Sequence, residues 1–257
     1  MTAIRATALL AVLALPACSL PRVEWSPQRY ERQVQAPPTR QPDAGSRLRV
    51  AAAAEASGQS DIALSMYGAA AAAAPGDAAA QARFAGALAR SGNISRAEEV
   101  LTAGLARRPG DAVLLVQLGR LRLRGGVADQ ALQLFDQALS AAPANANALD
   151  GRGVALDLAG RHSEAQDSYR RALTASPSLI AASNNLGMSL LLTGRAAEAV
   201  AVLEPLASRP DAPARVRNNL AVAQAAAGDR NAARTILSQR EGAEDLDGLV
   251  TALRTPG

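Results

Sequence analysis

The sequence predicts an all-α solenoid built from 34-residue helix-turn-helix units, and three observations predict it. Apolar residues make up 49% of the 257-residue chain but aromatics only 2%. Most of that apolar content is alanine, the best helix former and a poor strand former. Glycine recurs every 34 residues, at Gly58, Gly92, Gly126, Gly160, Gly194 and Gly228. Small and large side chains alternate with the same period, as in a chain of stacked, mutually supporting units.

Each register has a physical reason. The periodic glycine ends the first helix of a unit, where a left-handed residue is needed. Ala63, Ala97, Ala131, Ala165, Ala199 and Ala233 follow it by five residues, where the second helix crosses the first closely. Four residues on come Tyr67, Leu101, Phe135, Tyr169, Leu203 and Leu237, one turn further on the same face. Seven residues before each glycine sits Ala51, Ala85, Gly119, Gly153, Gly187 or Ala221, small enough to accept that crossing. Pro75, Pro109, Pro143 and Pro177 stop one unit and begin the next.

In chain order, residues 1–17 read as a secretory leader. Arg5 makes the start basic, and the mostly apolar run Ala6–Leu15 is far shorter than the roughly 20 residues of a membrane-spanning helix. "LPAC", Leu15 to Cys18, resembles a bacterial lipobox. The resemblance implies lipidation of Cys18, the only cysteine, cleavage before it, and, with Ser19 next, sorting to the outer membrane. The alternative is an ordinary secretory signal with a cysteine beside its cleavage site; Pro16 stands where a small residue is usual. Residues 18–43 hold the cysteine and a tether with five prolines and no helical period, too poor in apolar surface to fold.

Six units follow over residues 44–240, at 44–77, 78–111, 112–145, 146–179, 180–213 and 214–240. Pro205 should kink or shorten the second helix of unit five, and Pro210 and Pro213 predict an irregular joint before unit six. In the segment 241–257, Leu246, Leu249, Val250 and Leu253 share one helical face, which reads as a capping helix and tail.

Much chemistry is missing. The formal charge is +4 and all 27 basic residues are arginine, yet they are scattered among acids without a basic run. That pattern fits a G+C-rich coding bias and argues against nucleic-acid binding. His162 is the one histidine. It lies at the start of a second helix, where a satisfied or exposed side chain is the ordinary reading. With no second histidine and no cysteine beyond Cys18, the usual zinc ligands are lacking. The glycines of "GRGVALDLAG" fall in a helix pair and do not follow a strand, so they form no phosphate loop. The sequence therefore predicts no enzyme, no cofactor and no small-molecule substrate.

The 34-residue period and its registers resemble the tetratricopeptide repeat. The resemblance implies a right-handed superhelical solenoid whose first helices line a concave, partner-binding face. In units five and six those helices read "SNNLGMSL" and "RNNLAVAQ", so Asn184 and Asn185 recur as Asn218 and Asn219. Such amides either hydrogen-bond an extended peptide backbone or satisfy loop carbonyls between units. Met188, Val222 and Arg215 accompany them, and Asn147, Asp150, Gln117 and Arg120 extend the same face. Arg215 and Arg217 are candidates for the cations of the family's carboxylate clamp, which is otherwise not recognisable.

Residues 184–234, from "NNLGMSLLLTG" through "RVRNNLAVAQ", together with the lipobox and tether, resemble the tight-adherence (Flp) pilus-assembly lipoproteins. That resemblance implies a lipoprotein anchored at the periplasmic face of the outer membrane of a Gram-negative bacterium. Its partners would be proteins of the pilus secretion apparatus, the secretin among them. The alternative function is an envelope-homeostasis adaptor that recruits peptidoglycan hydrolases or proteases.

Overall fold

The structure is a computed structural model that describes residues 43–238. The lipobox with Cys18, the leader, nearly all of the tether, the last two residues of unit six and the C-terminal segment lie outside the described residues. Those described contain twelve α-helices and no strand. They pair as α1 (Ala44–Ala56) with α2 (Ser60–Ala73), α3 (Ala78–Arg90) with α4 (Ile94–Arg107), and α5 (Ala112–Arg124) with α6 (Ala128–Ala141). Then come α7 (Ala146–Leu158) with α8 (His162–Ala175), α9 (Ile180–Leu192) with α10 (Ala196–Ala207), and α11 (Ala214–Ala227) with α12 (Arg230–Ser238). Each pair is one 34-residue unit. From α3 onward each first helix also packs against the first helix of the next unit.

The six periodic glycines all adopt positive φ, between 72° and 102°. The residue after each donates its N–H to the carbonyl five residues earlier, at 2.8–3.0 Å, closing the first helix. The alanine register is buried in every unit, and the large register is buried from Tyr67 to Leu203. The small register receives it directly. A Cβ on Gly119 would lie 2.8 Å from Phe135, on Gly153 2.4 Å from Tyr169, and on Gly187 2.6 Å from Leu203. Phe135 is gripped from two sides, because a Cβ on Gly151 of the next unit would also lie 2.4 Å from its ring.

Two registers escaped sequence reasoning. Asp43, Asp77, Asp111 and Asn145, spaced by 34, each cap the first helix of a unit by accepting backbone N–H groups. Leu179 and Pro213 hold that position in units five and six and give no side-chain cap. Where the large register is tyrosine, the residue twelve earlier is an acid that takes its hydroxyl. Tyr67 donates to Glu55 at 2.8 Å and Tyr169 to Asp157 at 2.9 Å. Burial, then the Asp157 carboxylate, drives the Tyr169 hydroxyl well above the ordinary phenol range.

The expected irregularity is present. Pro205 lies inside α10, which has 12 residues where the other second helices of units one to four have 14. A proline removes a backbone donor and crowds the preceding turn. The following first helix, α11, begins at Ala214 after Pro213 and is one residue longer than its predecessors.

Candidate functional site

The first helices present one continuous row of positions, and its two ends are built differently. In unit two the row is small: Ala79, Ala82 and Gly86. Their lack of bulk opens a cleft of about 350 Å³ between α3, α5 and the start of α7. Arg83, Arg90, Arg120 and Gln117 supply most of its polar wall, and Asn145 and Asn147 close one side. A second cleft of about 380 Å³ continues past Arg90 and Arg120 to Arg124. The acid here is Glu55, which pairs with Arg90 at 2.5 Å and accepts from Tyr67. Arg83 and Arg120 remain exposed. Cationic groups therefore outnumber acids on this stretch.

The same row, 68 and 102 residues later, is filled. Asn184 stands two units beyond Val116, and only 7% of its surface is accessible. Its side-chain carbonyl accepts from Asn219 Nδ2 at 2.8 Å. Asn185 Nδ2 donates to Asp150 Oδ1 at 2.9 Å. Asn184, Asn185 and Asn219 thus bond to side chains of the neighbouring first helix, not to loop carbonyls, and they stitch α7, α9 and α11 together. Asn218 is half-buried beside them.

Asp150 is itself 6% exposed. Burial raises its carboxyl above the ordinary carboxylate range, against the opposing pull of the Asn185 hydrogen bond and of Arg120 and Arg215. Arg120 also donates to Asn147 Oδ1 at 2.9 Å. Arg215 is exposed, whereas Arg217 is tied back to the Ala212 carbonyl of the irregular joint. Met188 and Val222 are half-buried and pack on the core of units four to six.

Of the residues singled out by sequence, Gln117, Arg120 and Asn147 therefore line the open cleft. Asn184, Asn185, Asn219 and Asp150 form the cross-unit ladder. Sequence reasoning missed Arg83, Arg90, Arg124 and Glu55. The signal for two of them was present, since Arg90 and Arg124 are one period apart.

His162 Nδ1 lies 2.8 Å from Asp157 Oδ1, and Ser189 Oγ donates to the same oxygen at 2.8 Å. The group ties α7, α8 and α9 together. Among the described residues, no cluster of three or more His, Cys, Asp or Glu side chains is placed to hold a metal ion.

Two tetratricopeptide-repeat family models match, one over residues 54–118 and one over 116–180. Residues 54–180 are tetratricopeptide repeats. Comparison with curated protein sequences gives no match. Among solved structures, the tetratricopeptide repeat protein TTC0263 of Thermus thermophilus is similar at 24% identity and a TM-score of 0.63, covering 71% of this chain and 99% of its own. PilW, a type IV pilus biogenesis factor, is similar at 19% identity and a TM-score of 0.64, covering 82% and 98%. PilF of Pseudomonas aeruginosa is similar at 16% identity and a TM-score of 0.59, covering 76% and 89%. At these identities the likeness is one of fold. The all-α repeat solenoid expected from sequence is the observed one.

Proposed function

We propose that the protein is a scaffold lipoprotein, held at the periplasmic face of the outer membrane through Cys18, that docks components of a tight-adherence (Flp) pilus secretion apparatus along its inner groove. The observation that carries a docking role is the open, arginine-walled cleft of about 350 Å³ in an otherwise tightly stitched array. A solenoid that served only as a spacer would have no need of three small residues in a row on its inner face. The pilus assignment draws support from the sequence resemblance at residues 184–234. The fold shared with PilW, a type IV pilus biogenesis factor, is consistent with it. The role is one of binding, with no catalytic step and no cofactor.

The test is deletion of the gene. Loss of surface pili, restored by the intact gene and not by a Cys18→Ser variant, supports both the pilus role and the anchor. Intact pili with altered cell shape would overturn the pilus role in favour of the envelope-adaptor reading. Incorporation of labelled palmitate into the wild type but not into Cys18→Ser tests lipidation independently of pili.

A further inference from the structure

The inner face changes chemistry along its length. At the last turn of each first helix the periodic position reads Arg90, Arg124, Leu158, Leu192. One turn earlier it reads Gly86, Arg120, Val154, Met188, Val222. In these two registers the face is thus cationic over units two and three and aliphatic from unit four onward, beside the asparagine ladder. The last-turn register is open past the ladder: Leu158 is 63% exposed and Leu192 48%. Of the acids on this face, Glu55 is engaged by Arg90 and Asp150 by Asn185.

A segment suited to this groove would be acidic at one end and aliphatic at the other. The chain contains one. Residues 241–253, EGAEDLDGLVTAL, place Glu241, Glu244, Asp245 and Asp247 ahead of Leu249, Val250 and Leu253. We propose that the C-terminal segment of one copy docks in the inner groove of a second copy, with its acids on Arg83 and Arg120 and its leucines on Leu158 and Leu192. This rests on the reading of the inner face as a docking groove, and it names the occupant.

The order of the two chemistries sets the direction. The segment leaves α12 in unit six. Folding back over its own groove, it would lay its acids on the aliphatic end and its leucines on the arginines. In a second copy the segment can run from unit two towards unit five, and both matches are made together. The length agrees: three helix-to-helix steps of about 8–10 Å separate α3 from α9, and ten extended residues span about 33 Å. Docking in trans and a helix capping the end of the segment's own array are mutually exclusive uses of the same residues.

The experiment uses full-length chains carrying two different affinity tags, co-expressed and purified together in detergent. Wild-type copies should co-purify. A cleft reversal, Arg83→Glu with Arg120→Glu, should reduce recovery of the second copy at least tenfold. So should a tail reversal, Glu244→Arg with Asp245→Arg and Asp247→Arg. Combining one cleft-reversed with one tail-reversed copy should restore recovery. Leu158→Ser with Leu192→Ser should reduce it several-fold with an unchanged helical melting curve. Wild-type copies that fail to co-purify, or recovery indifferent to both reversals, would overturn the proposal. So would no rescue in the crosswise pair when both variants melt like wild type. A photo-crosslinking residue at Gln117 separates this from the broader reading. Crosslinks only to other envelope proteins sink self-docking and leave the groove standing, whereas no crosslink at all removes both.

Discussion

Units one to four and units five and six share a period and a core, yet they hold their first helices in place by different means. In the first four, Asp43, Asp77, Asp111 and Asn145 accept the free N–H groups of the helix start. In the last two, Leu179 and Pro213 offer no such acceptor. There the Asn185–Asp150 and Asn219–Asn184 bonds run sideways between helices. A cap acts within one helix and leaves the inner face clear. A ladder occupies that face. The open clefts and the local caps therefore occur in the same part of the chain, and the asparagine bonds occur where the face is filled.

The largest expected effect falls on what both regions share. Gly153→Leu would drive a side chain into the Tyr169 ring, which already leaves only 2.4 Å for a Cβ. A loss of about 1–3 kcal/mol or more is expected in chemical unfolding followed by circular dichroism. Gly86→Ala is the contrast inside the cleft. Its Cβ would meet Gln117 Nε2 at 2.8 Å, the end of a flexible side chain, so a much smaller loss is expected. Equal losses would mean that the cleft is as tightly built as the core.

Next comes the ladder. Asn219→Ala strips the donor from the buried Asn184 carbonyl, and an orphaned buried acceptor costs about 1–3 kcal/mol. Asn184→Leu with Asn219→Leu should be milder than the sum of the single changes, because neither partner is left stranded. A double-mutant cycle with no coupling would show that the two amides act independently.

The caps rank third. Asp111→Ala should cost about 1 kcal/mol, since two backbone N–H groups lose their acceptor. Leu179→Ala removes no cap, and any loss there should follow apolar contact alone. If Asp77→Ala and Asp111→Ala leave stability unchanged, the contrast between the two halves of the array fails.

Much of this fold was legible because it is periodic. Six glycines, six alanines and six small-large pairs announce helix ends and crossings without any knowledge of distance, since each needs a particular size or conformation. The 34-spaced caps were equally periodic and were overlooked, because Asp77 and Asp111 sit beside prolines and glycines that already explain a turn. The site was less legible. Asn184, Asn185, Asn218 and Asn219 stand out as polar residues in an apolar helix, but a sequence does not say whether an amide faces a partner or its neighbour in the stack. The cleft was harder still, since Ala79, Ala82 and Gly86 mark it only by the side chains they lack. Arginines that look scattered along the chain converge there because 34 residues return the chain to the same face.

Asp150 stands where the two regions meet, and it gives the smallest and most specific effect. It is the first acceptor of the ladder and borders the last arginine of the cleft. Its carboxyl is raised by burial in the folded state, so folding favours the protonated form. The sign follows from linkage. Between the unfolded and folded pKa the native state holds more protons than the unfolded one, and stability falls as pH rises through that window. Asp150→Asn keeps an oxygen to accept from Asn185 and removes the charge that burial penalises. The variant should therefore be slightly more stable than wild type at neutral pH, with the difference shrinking as pH falls through that same window. If it is instead less stable at neutral pH, the attraction of Arg120 and Arg215 outweighs burial, and Asp150 belongs electrostatically with the arginine-walled cleft rather than with the ladder.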